Sequence, residues 1–182
     1  MQTVKMVVTG PFAAGKTQFV QTISEIDVVA TERKLSRDSE RIKNETTVAM
    51  DFGRITVDDD LVLYLFGTPG QRRFDFMWQI LSEGMLGFVV VLDSTRPETF
   101  REARHILDTF REYAPVPYVV AVNKQDEKDA WSPEDLRIAL KIASDVKVVP
   151  CVAIDRDSVK RVLLELLYSI LETMESEPEE AA

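Results

Sequence analysis

Gly10-Pro11-Phe12-Ala13-Ala14-Gly15-Lys16-Thr17 has the residue types and spacing of a phosphate-binding loop. In such a run the backbone N–H groups turn inward as an anion nest, and the following helix adds the positive end of its dipole. Gly10, Ala13, Ala14 and Gly15 supply that backbone, Lys16 can reach β- and γ-phosphates as a point charge, and the Thr17 hydroxyl can ligate Mg²⁺. A second cluster is Asn123-Lys124-Gln125-Asp126. The Asp126 carboxylate can accept two hydrogen bonds from the N1–H and 2-amino group of guanine, a donor pair that adenine lacks. Asn123 can tie this loop to the phosphate loop, and the Lys124 stem can lie along the base. A third cluster, Thr68-Pro69-Gly70-Gln71, can sense a γ-phosphate: the Gly70 backbone can approach it closely and the Gln71 side chain can orient an attacking water. Upstream, Thr46-Thr47 precedes an apolar stretch, and Thr47 can ligate Mg²⁺ and touch the γ-phosphate. Taken singly these are also a glycine turn, a polar turn, and a β-branched residue opening a strand. In this order on one chain they point to a guanine nucleotide, GTP or GDP, whose terminal phosphate is sensed.

These residues must be positioned by strands that end just before them. Val4–Thr9 reads as a buried strand, followed by the loop and a helix from about Gly15 to Ser24. Residues 29–45 are polar and without period, a long connection of the kind that carries function in compact domains. Val48–Val57 and Leu61–Phe66 flank Asp58-Asp59-Asp60, a hairpin signal. Gly67–Glu83 is irregular and contains Phe74, Phe76 and Trp78, which suit either a partner surface or packing of this segment on the core. Leu86–Leu92, Val116–Val122 and Val146–Val149 read as further strands. Helices are expected from Pro97, from Ser132-Pro133 with Ser132 as N-cap, and from Asp157 or Ser158. Repeated strand–helix alternation predicts an α/β fold, a mostly parallel sheet with helices on both faces. Ligands of such sheets bind at the carboxyl ends of the strands, where the three clusters fall.

The chain has 182 residues, enough for one domain with a substantial core. Its formal net charge of −9 argues against nucleic acid as a partner. One basic cluster, Arg33-Lys34 with Arg37, Arg41 and Lys43, lies in the long connection. A single cysteine, Cys151, excludes an internal disulfide and a cysteine-rich metal site, and the cytoplasm is the expected compartment. Met1 leads directly into the first strand, no run is long enough to span a bilayer, and no lipidation motif is present, so neither a signal peptide nor a membrane anchor is expected. Cys151 reads as a small buried hydrophobe, and His105, on a helix without a partner, as no catalytic unit.

With these residues in view, the chain resembles the Ras superfamily of small GTPases over nearly its whole length, and within it the prokaryotic branch related to the bacterial gliding-motility GTPase. Thr47-Val48-Ala49-Met50-Asp51-Phe52 resembles switch I and the strand after it, and Thr68-Pro69-Gly70-Gln71 resembles that branch's switch II. The resemblance implies a P-loop NTPase fold with a six-stranded sheet containing one antiparallel strand, a Mg²⁺ cofactor and a GDP/GTP switch. It implies a G domain over 1–174, with the acidic segment 175–182 as a disordered tail. Cys151-Val152-Ala153 is similar to the family's fifth motif, in which the Ala153 N–H would meet the guanine oxygen. A regulatory or effector protein, with the roadblock type among the candidates, is the implied partner.

The resemblance breaks at particular positions. Gly67 stands where most relatives have the switch II aspartate that holds Mg²⁺ through water. Asp51 is either its replacement or a surface carboxylate at a strand end. Phe12 stands where relatives have a smaller or polar residue, and it either crowds an incoming arginine finger or packs away from the phosphate. Thr46 stands where the gliding-type enzyme has an arginine, with Arg41, Arg72 and Arg73 as nearby alternatives. Slow, partner-dependent GTP hydrolysis is therefore expected, with a nucleotide-bound scaffold lacking turnover as the alternative.

Overall fold

The structure is a computed structural model that describes residues 1–28, 31–35, 46–69 and 74–176, of which 31–35 and 46–49 are described by their backbone alone. Strand β1 (Gln2–Thr9) leads into helix α1 (Lys16–Ile23); strands β2 (Thr31–Leu35), β3 (Thr46–Asp58) and β4 (Leu61–Gly67) follow. Helix α2 (Phe76–Ser82), strand β5 (Gly87–Asp93), helix α3 (Phe100–Tyr113), strand β6 (Tyr118–Asn123), helix α4 (Pro133–Ala139), strand β7 (Lys147–Pro150) and helix α5 (Arg156–Ser176) complete the order.

The strands lie in the order β2-β3-β4-β1-β5-β6-β7. The expected six-stranded sheet is present as β3 to β7 with β1: neighbours among β4, β1, β5, β6 and β7 are parallel, and β3 is antiparallel to β4. A seventh strand, β2, lies within the segment read as an unstructured connection and pairs antiparallel with the start of β3. Its sequence Thr-Glu-Arg-Lys-Leu has no apolar period, so its pairing comes from the backbone ladder that β3 offers rather than from its own pattern.

Alternation along the central strands divides the core in two. Met6, Val8, Val89, Val91, Val119 and Ala121 face α1 and α5, where Phe19, Val20, Val162 and Leu166 are buried. Val7, Phe88, Val90, Leu92, Val120 and Val122 face the other way, against Trp78, Ile106, Phe110 and Leu136. Strands buried on both faces read as the unbroken apolar runs seen in this sequence.

The helix ends follow local chemistry. Ser132 Oγ accepts from the Asp135 N–H at 3.2 Å, with Pro133 in the first turn of α4. The last helix starts at Arg156, earlier than expected, because Asp155 caps it: its Oδ1 accepts from the Asp157 N–H at 2.9 Å. That helix runs to Ser176, and the rest of the expected acidic tail lies outside the described residues. Among the described residues no helix is long and apolar enough to cross a membrane.

Candidate functional site

The chain reverses its direction of strand addition around β1: β3 and β4 lie to one side, β5 to β7 to the other. The Gly10–Thr17 loop sits at this switch point, beyond the carboxyl end of β1. Its turns need unusual backbone: φ is +146° at Gly10, +61° at Ala13 and +107° at Gly15. At Gly10 and Gly15 packing forbids a side chain as well. A Cβ on Gly10 would lie 2.0 Å from the Val91 carbonyl oxygen, and one on Gly15 would lie 2.4 Å from Asn123 Nδ2. The Ala14 N–H donates to the Pro11 carbonyl at 3.2 Å, and the Phe19 N–H donates to Gly15 at 2.9 Å as α1 begins. The first-turn N–H groups of α1 therefore have no partner within the helix.

Lys16 is buried, at 7% exposure. Its Nζ donates to the carbonyls of Gly10 at 2.7 Å and Pro11 at 2.8 Å. Burial pulls its pKa from the ordinary 10.5 to about 8, although the Asp51 and Glu102 carboxylates act to raise it. A buried cation whose hydrogen bonds, among the described residues, go to two loop carbonyls is suited to an anion arriving in that loop. Thr17, next along, donates its hydroxyl to Asp51 Oδ2 at 2.6 Å. Asp51 is half-buried in β3 and pairs across the ladder with Gly67. It is not a loose surface carboxylate.

The Asn123–Asp126 loop joins this site through Asn123, which is 4% exposed. Asn123 Nδ2 donates to the Ala14 carbonyl at 3.0 Å, the link expected from the sequence. Its Oδ1 accepts from the Lys124 N–H at 2.8 Å and the Ala153 N–H at 2.9 Å. Ala153 is thus beside the site as expected, but its N–H already has a partner. Lys124 takes φ +65°, and its ammonium pairs with Asp93 Oδ2 at 2.9 Å. Asp93, at the end of β5, is buried and went unread in the sequence; the signal was a carboxylate closing an otherwise apolar run. Desolvation acts to raise its pKa, but bonds from Thr95 and Lys124 outweigh this and hold it below the usual carboxylate range. Gln125 Nε2 donates to Ser94 Oγ at 3.1 Å and to the Trp131 carbonyl at 2.8 Å, leaving Asp126 exposed at the loop's tip.

Around the remaining expected residues the result is mixed. The Thr68 hydroxyl meets Thr9 Oγ1 at 2.9 Å, and Trp78 Nε1 donates to the Pro69 carbonyl at 3.0 Å. Phe74 and Trp78 are buried, so they pack this segment on the core, whereas Phe76 is 50% and Ile80 61% exposed. Phe12 is 60% exposed, so its ring is not packed into the core. Thr46 and Thr47 open β3 by backbone position, Thr47 opposite Lys34. Gly70, Gln71, Arg72, Arg73, Arg41 and the side chain of Thr47 lie outside the described residues. Cys151 is buried and its thiol is pushed up to about 11 by desolvation, while His105 is exposed on α3.

A family model described as "Conserved hypothetical ATP binding protein" matches residues 26–176, and the chain belongs to that family. It is similar to an uncharacterized protein of Methanocaldococcus jannaschii, 34% identical over 126 residues that cover 69% of this chain and 73% of that one. It is also similar to the mutual gliding-motility protein MglA of Myxococcus xanthus, 27% identical over 75% of this chain and 74% of that protein. The Ras-related protein RABA6b of Arabidopsis thaliana is 29% identical over 67% of this chain and 50% of that protein. This chain is a Ras-superfamily small GTPase related to MglA. The family model's match begins after the phosphate loop, so its description does not rest on Gly10–Thr17.

Among the described residues of this small GTPase, no group of three or more His, Cys, Asp or Glu side chains could hold a metal. A Mg²⁺ ion here would rely on hydroxyl and phosphate oxygens with few carboxylates, a donor set the ion accepts. Thr17 and Asp51 offer such oxygens side by side.

Proposed function

We propose that this GTPase is a switch that hydrolyses GTP slowly and reports the bound nucleotide to a partner protein through switches I and II. The observation that carries the reading is the Asn123 side chain, which bonds at once to the phosphate loop, to its own loop and to Ala153. One nucleotide spanning these segments would be gripped at both ends.

In this reading the N–H groups of the Gly10–Thr17 loop hold the phosphates, and Lys16 exchanges its two carbonyl partners for β- and γ-phosphate oxygens. Gly70 approaches the γ-phosphate and Gln71 orients the attacking water. Thr17 and Thr47 would hold Mg²⁺, which would supply positive charge against the charge that develops in the transition state. Asp126 accepts from the guanine edge, and the Lys124 stem, its head fixed on Asp93, lines the base. The guanine oxygen competes with Asn123 Oδ1 for the Ala153 N–H. The family description names ATP, but adenine offers Asp126 no matching donor pair. Exposed Phe76 and Ile80, beside switch II, suit a regulatory or effector protein, for which a roadblock-type partner is one candidate.

Single-turnover hydrolysis of GTP with Mg²⁺, run beside the Gln71→Leu variant, tests this. Slow hydrolysis that falls further in the variant supports the switch. Tight GTP binding with no hydrolysis in either protein favours a nucleotide-bound scaffold. Preference for ATP over GTP in a competition assay refutes both.

A further inference from the structure

We propose that Trp78 is a positioning residue for the γ-phosphate sensor: its indole N–H holds the peptide unit to which the Gly70 N–H belongs. The proposal rests on the reading of the Gly70 N–H as the group that meets the γ-phosphate.

Trp78 Nε1 donates to the Pro69 carbonyl at 3.0 Å, across nine residues of chain. That carbonyl and the Gly70 N–H are the two ends of one peptide unit. Such a unit is planar and its two polar groups point opposite ways, so a contact that fixes the carbonyl also fixes the direction of the N–H. The donor is itself held. Trp78 is 1% exposed, and its ring lies 5.7 Å from that of Phe110, tilted by 38°. Its backbone N–H donates to the Asp75 carbonyl at 3.0 Å as α2 begins. An indole packed in this way has few orientations open to it, and it is too deeply buried to exchange its acceptor for water. The chain before Pro69 is tied down as well. The Thr68 N–H donates to the Val8 carbonyl at 2.9 Å, and the Thr68 hydroxyl meets Thr9 Oγ1 at 2.9 Å, one residue before the phosphate loop. The ring of Pro69 sets its own φ. The torsion left to direct the next peptide is ψ of Pro69, and the Trp78 bond sets it. Packing alone could be met by phenylalanine at this position; the bond to Pro69 could not.

Reciprocity gives a test on the wild-type protein, which needs no variant. If the Trp78 bond helps the sensor meet a γ-phosphate, a γ-phosphate strengthens the bond by the same factor. Deuterium exchange of the indole protons of the two tryptophans, read by NMR, reports this. Trp78 should exchange about 5-fold more slowly with a non-hydrolysable GTP analogue bound than with GDP, the worth of one hydrogen bond. Trp131, whose carbonyl is held by Gln125 of the Asn123–Asp126 loop, should exchange alike in both states. In Trp78→Phe, affinity for the analogue, measured by competition against fluorescent GDP, should fall about 5-fold relative to affinity for GDP. Leu136→Ala, a buried change elsewhere in the same core layer, should lower the melting temperature and leave that ratio unchanged. Equal Trp78 exchange in the two states overturns the proposal. So does a Trp78→Phe variant whose two affinities are unchanged or fall together, or a ratio that moves as far in Leu136→Ala. With guanine nucleotides still bound, none of these outcomes touches the nucleotide reading. A wild type that binds neither GDP nor the analogue refutes that reading, and this proposal with it.

Discussion

Replacing Asn123 by alanine should cost far more than a surface polar residue would. The side chain makes bonds of 3.0, 2.8 and 2.9 Å, to the Ala14 carbonyl, the Lys124 N–H and the Ala153 N–H. Ala14 and Ala153 are 2% and 5% exposed, so water cannot easily replace the lost partner there. A buried backbone group left unsatisfied costs about 1–3 kcal/mol, and a group that water can reach costs about 0.5. Two buried orphans and one half-exposed one give about 2.5 kcal/mol at the low end, against a typical domain total of about 5–15. At about 2–4 °C per kcal/mol for a chain of this size, the melting temperature should fall by roughly 5–10 °C. The assay is urea unfolding of nucleotide-free protein by circular dichroism, with amide exchange read at Ala153 and Lys124. Gln125→Ala, which loses bonds to Ser94 Oγ and the Trp131 carbonyl from a half-exposed position, is the control and should cost about 1 kcal/mol or less. Saturating GDP should widen the gap between wild type and the Asn123 variant, because the variant binds it less well. An Asn123→Ala loss no larger than the control, with both amides still protected, would refute the reasoning.

Asp126→Asn should weaken GTP binding by about 10²–10³, the loss of two charge-assisted hydrogen bonds of about 1.5–2 kcal/mol each. The same variant should gain affinity for xanthine nucleotides, whose C2 carbonyl accepts from an amide; competition against fluorescent GDP reads both effects. Cys151 contributes an alkaline pH dependence. Its folded pKa of about 11 lies above the ordinary 9.0, so the stability it adds is complete below pH 9 and is lost as pH rises through 11. That loss amounts to about 2–3 kcal/mol, and it should be absent from Cys151→Ala in urea titrations across the window. Ser132→Ala removes the cap of α4, whose bond to the Asp135 N–H measures 3.2 Å, and should cost about 1 kcal/mol by the same method.

What the sequence made legible was local. Central strands announced themselves because both faces are buried, and Ser132-Pro133 marked α4 because a cap is chemistry between near neighbours. Lys16, Thr17 and Asn123 were recognisable from short patterns, and the structure brings them together. What stayed hidden depended on pairing across the sheet. The sequence left two readings open for Asp51, and its position opposite Gly67 follows from a register that no periodicity over a single segment can report. The strand Thr31–Leu35 depends on its neighbour in the same way. Asp155 was overlooked as a cap because Asp157 and Ser158 just after it offer the same chemistry. The Ala153 N–H already donates to Asn123 Oδ1, an acceptor that the motif around Ala153 does not name.

The two packed glycines of the phosphate loop also bear on how loss of function would be written in related sequences. Gly10 faces the Val91 carbonyl and Gly15 faces Asn123, so the scaffold demands both whether or not any phosphate arrives. Lys16 is the opposite case: its burial disfavours its own charge, and two loop carbonyls with the nearby Asp51 and Glu102 carboxylates compensate only in part. A descendant that abandoned its nucleotide would keep both glycines and soon shed the lysine. In sequences of this kind the glycines are evidence of ancestry, and the lysine is evidence of use.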